Sequence, residues 1–238
     1  MNIKDTFDLI NFENSNINEK NKIASKIDDH LKNIGFLIVT NHGIKSNIIK
    51  NISLVLNSFF NKDQKFKNKS MAPYKGYPYG YFKSESEALA KSKGLDTPPD
   101  LKESFNGGPI KAPKGKISKE ALNFCYLPTI WPDVDDFEKS WKIYYNEMEN
   151  LSKRLMSVFA IALKLPSDYF TKFIDNPISA LRALNYPLIQ KEVLPNQQRA
   201  GAHTDYGSLT ILLSLDSIQG LQIKNSNNRW VNVPNVKN

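Results

Sequence analysis

From Phe137 to Ala162 the apolar residues Phe137, Trp141, Tyr144, Met148, Leu151, Leu155, Val158 and Ala162 advance by steps of four and three. That spacing lays them along one face of a helix, which needs such a face simply to dock. Beyond it the period changes. Leu181 to Tyr186, Ala200 to Asp205, Leu209 to Leu215, Leu221 to Lys224 and Trp230 to Val233 are short extended runs parted by turn residues, with Asn225-Ser226-Asn227-Asn228 as a hairpin loop. A helical front followed by antiparallel strands reads as α+β.

The front has its own punctuation. Asp8 to Ile10 is a strand candidate. Asn16 caps a helix whose apolar face is Ile17, Ala24, Ile27, Leu31 and Ile34, closed by Gly35. Phe36 to Thr40 suits a buried strand, and Ile48, Ile49, Ile52, Leu56, Phe59 and Phe60 mark a second helix. Residues 71–120, rich in proline and glycine, read as loops. Pro166 stops the long helix, and a short helical turn runs from Asp168 to Ile174. The expected division is 1–120 as an amino-terminal domain, 121–177 as linking helices and 178–238 as a strand domain. His30, among Asp28 and Asp29, is expected at the surface.

Composition narrows the function classes. The net charge of +8 rests on 32 basic residues, of which only Arg154, Arg182, Arg199 and Arg229 are arginine. Recognition of base edges and phosphates favours arginine and needs clustering, so a solvated lysine surface is expected and no nucleic acid. One cysteine, Cys125, rules out an internal disulfide framework and a multi-cysteine metal site. No apolar run approaches a membrane span and no leader pattern opens the chain, so a cytoplasmic location is expected.

The residues that carry chemistry are His203-Thr204-Asp205. On an extended strand, side chains two apart share a face with Cα atoms about 7 Å apart, close enough for an imidazole and a carboxylate to reach one divalent ion. The tripeptide alone is also compatible with a polar strand end at a turn. Upstream, Arg182, Leu184 and Tyr186 alternate onto one face, where a guanidinium and a phenol suit a carboxylate-bearing cosubstrate. The alternative is a surface ion pair for Arg182 and simple packing for Tyr186.

Four segments together resemble the iron- and 2-oxoglutarate-dependent dioxygenases of the isopenicillin N synthase-like group. These are Gly35 to Ile44, Lys102 to Phe105, Leu181 to Pro187, and Arg199 to Leu213 with Gly220 to Ile223 and Trp230 to Pro234. Bacterial members akin to ethylene-forming enzymes look nearest. The resemblance implies a double-stranded β-helix, or jelly roll, with a helical amino-terminal region. It implies Fe(II), 2-oxoglutarate and O2, and oxidation of a small organic substrate with release of succinate and CO2. An oxidase that does not use 2-oxoglutarate, and a non-catalytic remnant, are the alternatives.

Residue by residue, the resemblance makes His203 and Asp205 iron ligands, Tyr186 and Arg182 cosubstrate contacts, and Tyr206 and Phe105 substrate contacts. His42 matches a family position that is not a ligand, and a structural hydrogen-bonding role is expected. The family's second histidine ligand and its Arg-x-Ser motif have no counterpart after Asp205. The expectation is therefore a chain lacking the carboxyl-terminal strands and inactive by itself.

Overall fold

The computed structural model describes residues 3–113, 115, 117–190, 192–215 and 220–236. Asp8 ends the first strand, β1 (Thr6–Asp8), and its carboxylate accepts from Asn11 N at 2.9 Å, so the chain turns at once into α1 (Leu9–Asn14). The expected strand at Asp8 to Ile10 is thus displaced, because the cap claims Asp8 for a helix start. Helix α2 (Ile17–Ile34) opens with a reciprocal capping box between Asn16 and Glu19, and Gly35 closes it at φ 72°. β2 (Ile38–Thr40) pairs in parallel with β1. Helices α3 (Ser46–Phe60) and α4 (Gln64–Asn68) follow.

Residues 71–120 are not all loop. They contain β3 (Gly80–Phe82), a 3-10 turn at Leu89–Lys93 and β4 (Glu103–Gly107), then the start of α5 (Lys119–Leu122). Next come α6 (Phe137–Ala162), α7 (Thr171–Ile174), β5 (Leu181–Asn185), β6 (Gln222–Lys224) and β7 (Trp230–Asn232). β3, β4 and β5 form one antiparallel sheet, and β6 and β7 form a hairpin. α6 ends before Pro166, at a left-handed Lys164 (φ 60°), where Leu165 N donates to Ala160 O at 2.8 Å.

Two compact units result. One comprises Met1–Ser46, Glu147–Asp175 and Ile211–Asn238, the other Asn47–Asn146 and Asn176–Thr210. The first has a core of Phe7, Leu9, Phe12, Ala24, Ile27, Leu155 and Val158, into which α2 also turns His30, only 3% exposed. His30 is therefore no surface histidine. It lies three residues from Ile27 and so shares that residue's inward face, whatever the charge of its sequence neighbours.

The core of the second unit is aromatic. Phe59, Phe105, Phe137 and Trp141 are essentially inaccessible, and the Phe105 ring meets those of Phe59, Phe137 and Trp141 edge to face at 5.6, 5.0 and 5.1 Å between centroids. Gly107 is required by this packing, since a Cβ there would lie 2.6 Å from Trp141 Nε1. The architecture is α+β, as the sequence pattern indicates. Ala200 to Asp205 and Leu209 to Leu215 join no strand ladder, so their expected strand character is not realised. Strand structure depends on a partner's N–H and C=O groups, and in Ala200 to Asp205 the Gly201 amide donates instead to Asp100 and its carbonyl meets the His203 ring. No helix among the described residues is long and apolar enough to cross a membrane.

Candidate metal centre

The sheet of the second unit sorts the site residues onto two faces. In the β4–β5 ladder Glu103 stands opposite Asn185, Phe105 opposite Ala183 and Asn106 opposite Arg182. Because side chains alternate, Glu103, Phe105, Ala183 and Asn185 face the core, while Lys102, Arg182, Leu184 and Tyr186 share the other face. On the core side Glu103 accepts from Lys67 Nζ at 2.9 Å, from Asn185 Nδ2 at 2.8 Å and from the Tyr81 hydroxyl. Burial first, and the bond to Glu103 next, push the Tyr81 phenol well above its ordinary range, so it remains a donor.

On the opposite face Arg182 grips both oxygens of Glu87, at 3.0 and 3.2 Å. Lys102 bridges Glu87 and Asp100, each at 3.1 Å. Burial alone would raise the Glu87 pKa, but Arg182 and Lys102 outweigh it and hold the carboxyl below its usual value. A depressed carboxylate pKa adds stability above the unfolded-state value that is lost as pH falls through the folded one. The expected result is that melting temperature falls on acidification below about pH 4.5, and that Glu87→Gln flattens this dependence in thermal melts across that window.

Arg199 ties the following segment to the end of β5, donating to Tyr186 O at 2.6 Å and Pro187 O at 2.7 Å with its guanidinium 5.7 Å from the Tyr186 ring. Burial, and then the nearby Asp100 carboxylate, raise the Tyr186 pKa against the opposing pull of Arg199 and Arg182. Its hydroxyl is therefore a proton donor at neutral pH.

At His203 one contact decides the chemistry. Nδ1 lies 2.7 Å from Gly201 O, which can only accept, so Nδ1 carries the proton. Nε2 faces Asp205 Oδ1 at 3.2 Å. An imidazole nitrogen and a carboxylate oxygen set this close share a cation, either a proton on Nε2 or a divalent metal between them. Two donors about 2.1 Å from one divalent ion and at right angles to each other lie about 3 Å apart, so the pair fits a metal that takes nitrogen and oxygen together. The Nδ1 to carbonyl bond is the usual outer support of a ligating imidazole. Among the described residues no group of three or more His, Cys, Asp or Glu gathers at one point.

The other expected contacts fall differently. Tyr206 is 89% exposed, beside Gly207 at φ 86°. Phe105 is corrected: its ring is fully buried in the aromatic core and has no surface to offer a substrate. Arg182 is also corrected, since its guanidinium fork is taken up by Glu87 of this chain. His42 makes backbone contacts, its Nδ1 accepting from Ile44 N at 3.1 Å and its carbonyl from Arg154 at 2.6 Å. Asp100, Glu87 and Arg199 carry no signal in the sequence, because Gly201, Arg182 and Tyr186, which they meet, lie 101, 95 and 13 positions away.

Two family models match the chain. Residues 6–134 match the amino-terminal domain described as that of non-haem dioxygenase in morphine synthesis, and residues 178–238 match the 2OG-Fe(II) oxygenase superfamily. The chain belongs to the 2OG-Fe(II) oxygenase superfamily. Within the superfamily it is 30% identical over 220 residues to a homoarginine-6-hydroxylase of Oryza sativa subsp. japonica, covering 88% of this chain and 63% of that one. It is 26% identical over 227 residues to a 2-oxoglutarate-dependent dioxygenase of Aspergillus rugulosus, covering 94% and 67%. Among solved structures it resembles a full-length Neurospora crassa protein crystallised in complex with alpha-KG, with a TM-score of 0.81 and 26% identity over 98% of this chain and 70% of that one. The chain thus spans about two thirds of the length of these superfamily members.

Proposed function

We propose that this chain belongs to an Fe(II)- and 2-oxoglutarate-dependent oxygenase that oxidises a small organic substrate and releases succinate and CO2. The observation that carries the reading is His203 Nε2 set 3.2 Å from Asp205 Oδ1, with Nδ1 held by the Gly201 carbonyl. His203 and Asp205 hold the iron. When bound, the iron supplies a site for 2-oxoglutarate and O2 and couples decarboxylation of the one to oxidation of a C–H bond. Tyr186 donates its hydroxyl proton in a hydrogen bond to a carboxylate of 2-oxoglutarate, as its raised pKa allows. Tyr206, exposed beside the pair, approaches the substrate. The second histidine and the arginine for the distal carboxylate that the resemblance implies are assigned to no residue of this chain.

In this reading the strands from residue 178 onward complete a double-stranded β-helix, and of the division at 1–120, 121–177 and 178–238 the last boundary is supported by the second family match beginning at 178, while the first match runs past 120 to 134. Placement near bacterial ethylene-forming-enzyme-like members rests on the four sequence segments, and the cytoplasmic location on the single cysteine.

The test is succinate formation from 2-oxoglutarate under O2 by the Fe(II)-loaded protein. Fe(II)-dependent succinate release that disappears in His203→Ala supports the reading, and iron-dependent substrate oxidation without 2-oxoglutarate consumption overturns it. Tyr186→Phe is expected to raise the 2-oxoglutarate KM about 10- to 100-fold, the worth of one hydrogen bond to a charged group at about 1.5–3 kcal/mol. Asn185→Ala should leave that KM unchanged and lower the stability, because Asn185 bonds to buried Glu103 on the opposite face.

A further inference from the structure

Asp100 is 1% exposed, and both of its oxygens are bonded inside the second unit. Oδ1 accepts from Gly201 N at 2.9 Å, while Oδ2 accepts from Leu89 N at 3.2 Å and from Lys102 Nζ at 3.1 Å. A carboxylate this deep is costly to bury unless paired and hydrogen-bonded, and Lys102, itself 4% exposed, supplies the charge. What the arrangement achieves is at Gly201. A Cβ on that residue would lie 2.8 Å from Ala90 N and 2.9 Å from Ala90 Cβ, so only glycine can approach the 3-10 turn this closely. Gly201 is pinned from one side by that contact and from the other by Asp100. Its carbonyl then takes the Nδ1 proton of His203.

We infer that Asp100 is a positioning residue for the His203–Asp205 pair: by fixing Gly201 it selects the Nδ1–H tautomer of His203 and aims Nε2 at the metal position. This rests on the metal reading given under the proposed function. Without the Asp100 carboxylate, the Gly201 amide loses its acceptor, the carbonyl two residues before His203 is released, and the imidazole populates both tautomers. The Nε2–H form cannot ligate, so the metal binds more weakly. Loss of an outer-shell partner of a ligand typically weakens metal binding about 10- to 100-fold.

The experiment compares the full chain with Asp100→Ala at a temperature where circular dichroism shows both folded. The readouts are the His203 tautomer by 15N NMR without metal, and the Mn(II) dissociation constant by EPR. The expected result is a single Nδ1–H tautomer in the unmodified chain, a mixture in Asp100→Ala, and Mn(II) binding at least about tenfold weaker in the variant. An unchanged tautomer with Mn(II) affinity within about twofold overturns the inference, whatever happens to the melting temperature. Should Asp100→Ala not fold, amide exchange in the unmodified chain decides: a protected Gly201 supports the inference, and a Gly201 exchanging as fast as Tyr206 overturns it. His203→Ala separates the two readings. If it binds Mn(II) as tightly as the unmodified chain, the metal reading fails and the tautomer alone judges Asp100.

Discussion

Glu103→Ala will destabilise the second unit by about 3–5 kcal/mol, the cost of leaving a buried charge without its partner. Lys67 Nζ, with only 10% of its side chain exposed, would lose its 2.9 Å ion pair and keep a single 3.3 Å bond to Phe60 O. Asn185 would lose its acceptor at the same stroke, and the Tyr81 hydroxyl would keep only Gln64 Oε1, at 3.4 Å, as its acceptor. Urea denaturation measures the loss as a lowered midpoint. Adding Lys67→Met to the alanine variant should restore part of it, because the uncompensated cation is then gone. A loss under about 1 kcal/mol would mean that the network is solvated and contributes as a surface pair does.

Phe105→Ala will cost about 3–5 kcal/mol, the usual figure for an aromatic side chain deleted from a core. Its ring meets Phe59 of α3 and Phe137 and Trp141 of α6, so the space it fills is walled by two separate helices as well as its own strand. Equilibrium unfolding separates this from a substrate-contact role. A core residue lowers the unfolding midpoint and leaves the substrate KM of the folded fraction where it was, whereas a contact residue does the reverse.

The two corrections at Phe105 and Arg182 share a cause with the successes beside them. The β5 alternation was legible because side-chain direction along a strand is local, and it correctly separates Arg182 and Tyr186 from Ala183 and Asn185. What each face meets is not local. Arg182 pairs with Glu87, 95 positions away, and the ring of Phe105 meets residues 46 positions before it and 32 and 36 after it. In the same way β3 and β4 are hidden in a stretch of prolines and glycines, since a short strand declares itself only through the ladder it joins: β3 pairs with β4, and β4 with β5, whose first residue, Leu181, pairs with Gly107.

By itself the sequence determined the capped helices, the α+β order and the His203–Asp205 pair, because capping, helical period and a two-residue spacing are properties of neighbouring residues. Its four motifs also pointed to the 2OG-Fe(II) oxygenase superfamily. Only the tertiary structure decided that His30 is buried, that Phe105 is core, and that a carboxylate at position 100 reaches the Gly201 amide, whose carbonyl meets Nδ1 of His203. Those outcomes depend on which distant groups the fold brings within about 3 Å, a distance no local pattern encodes.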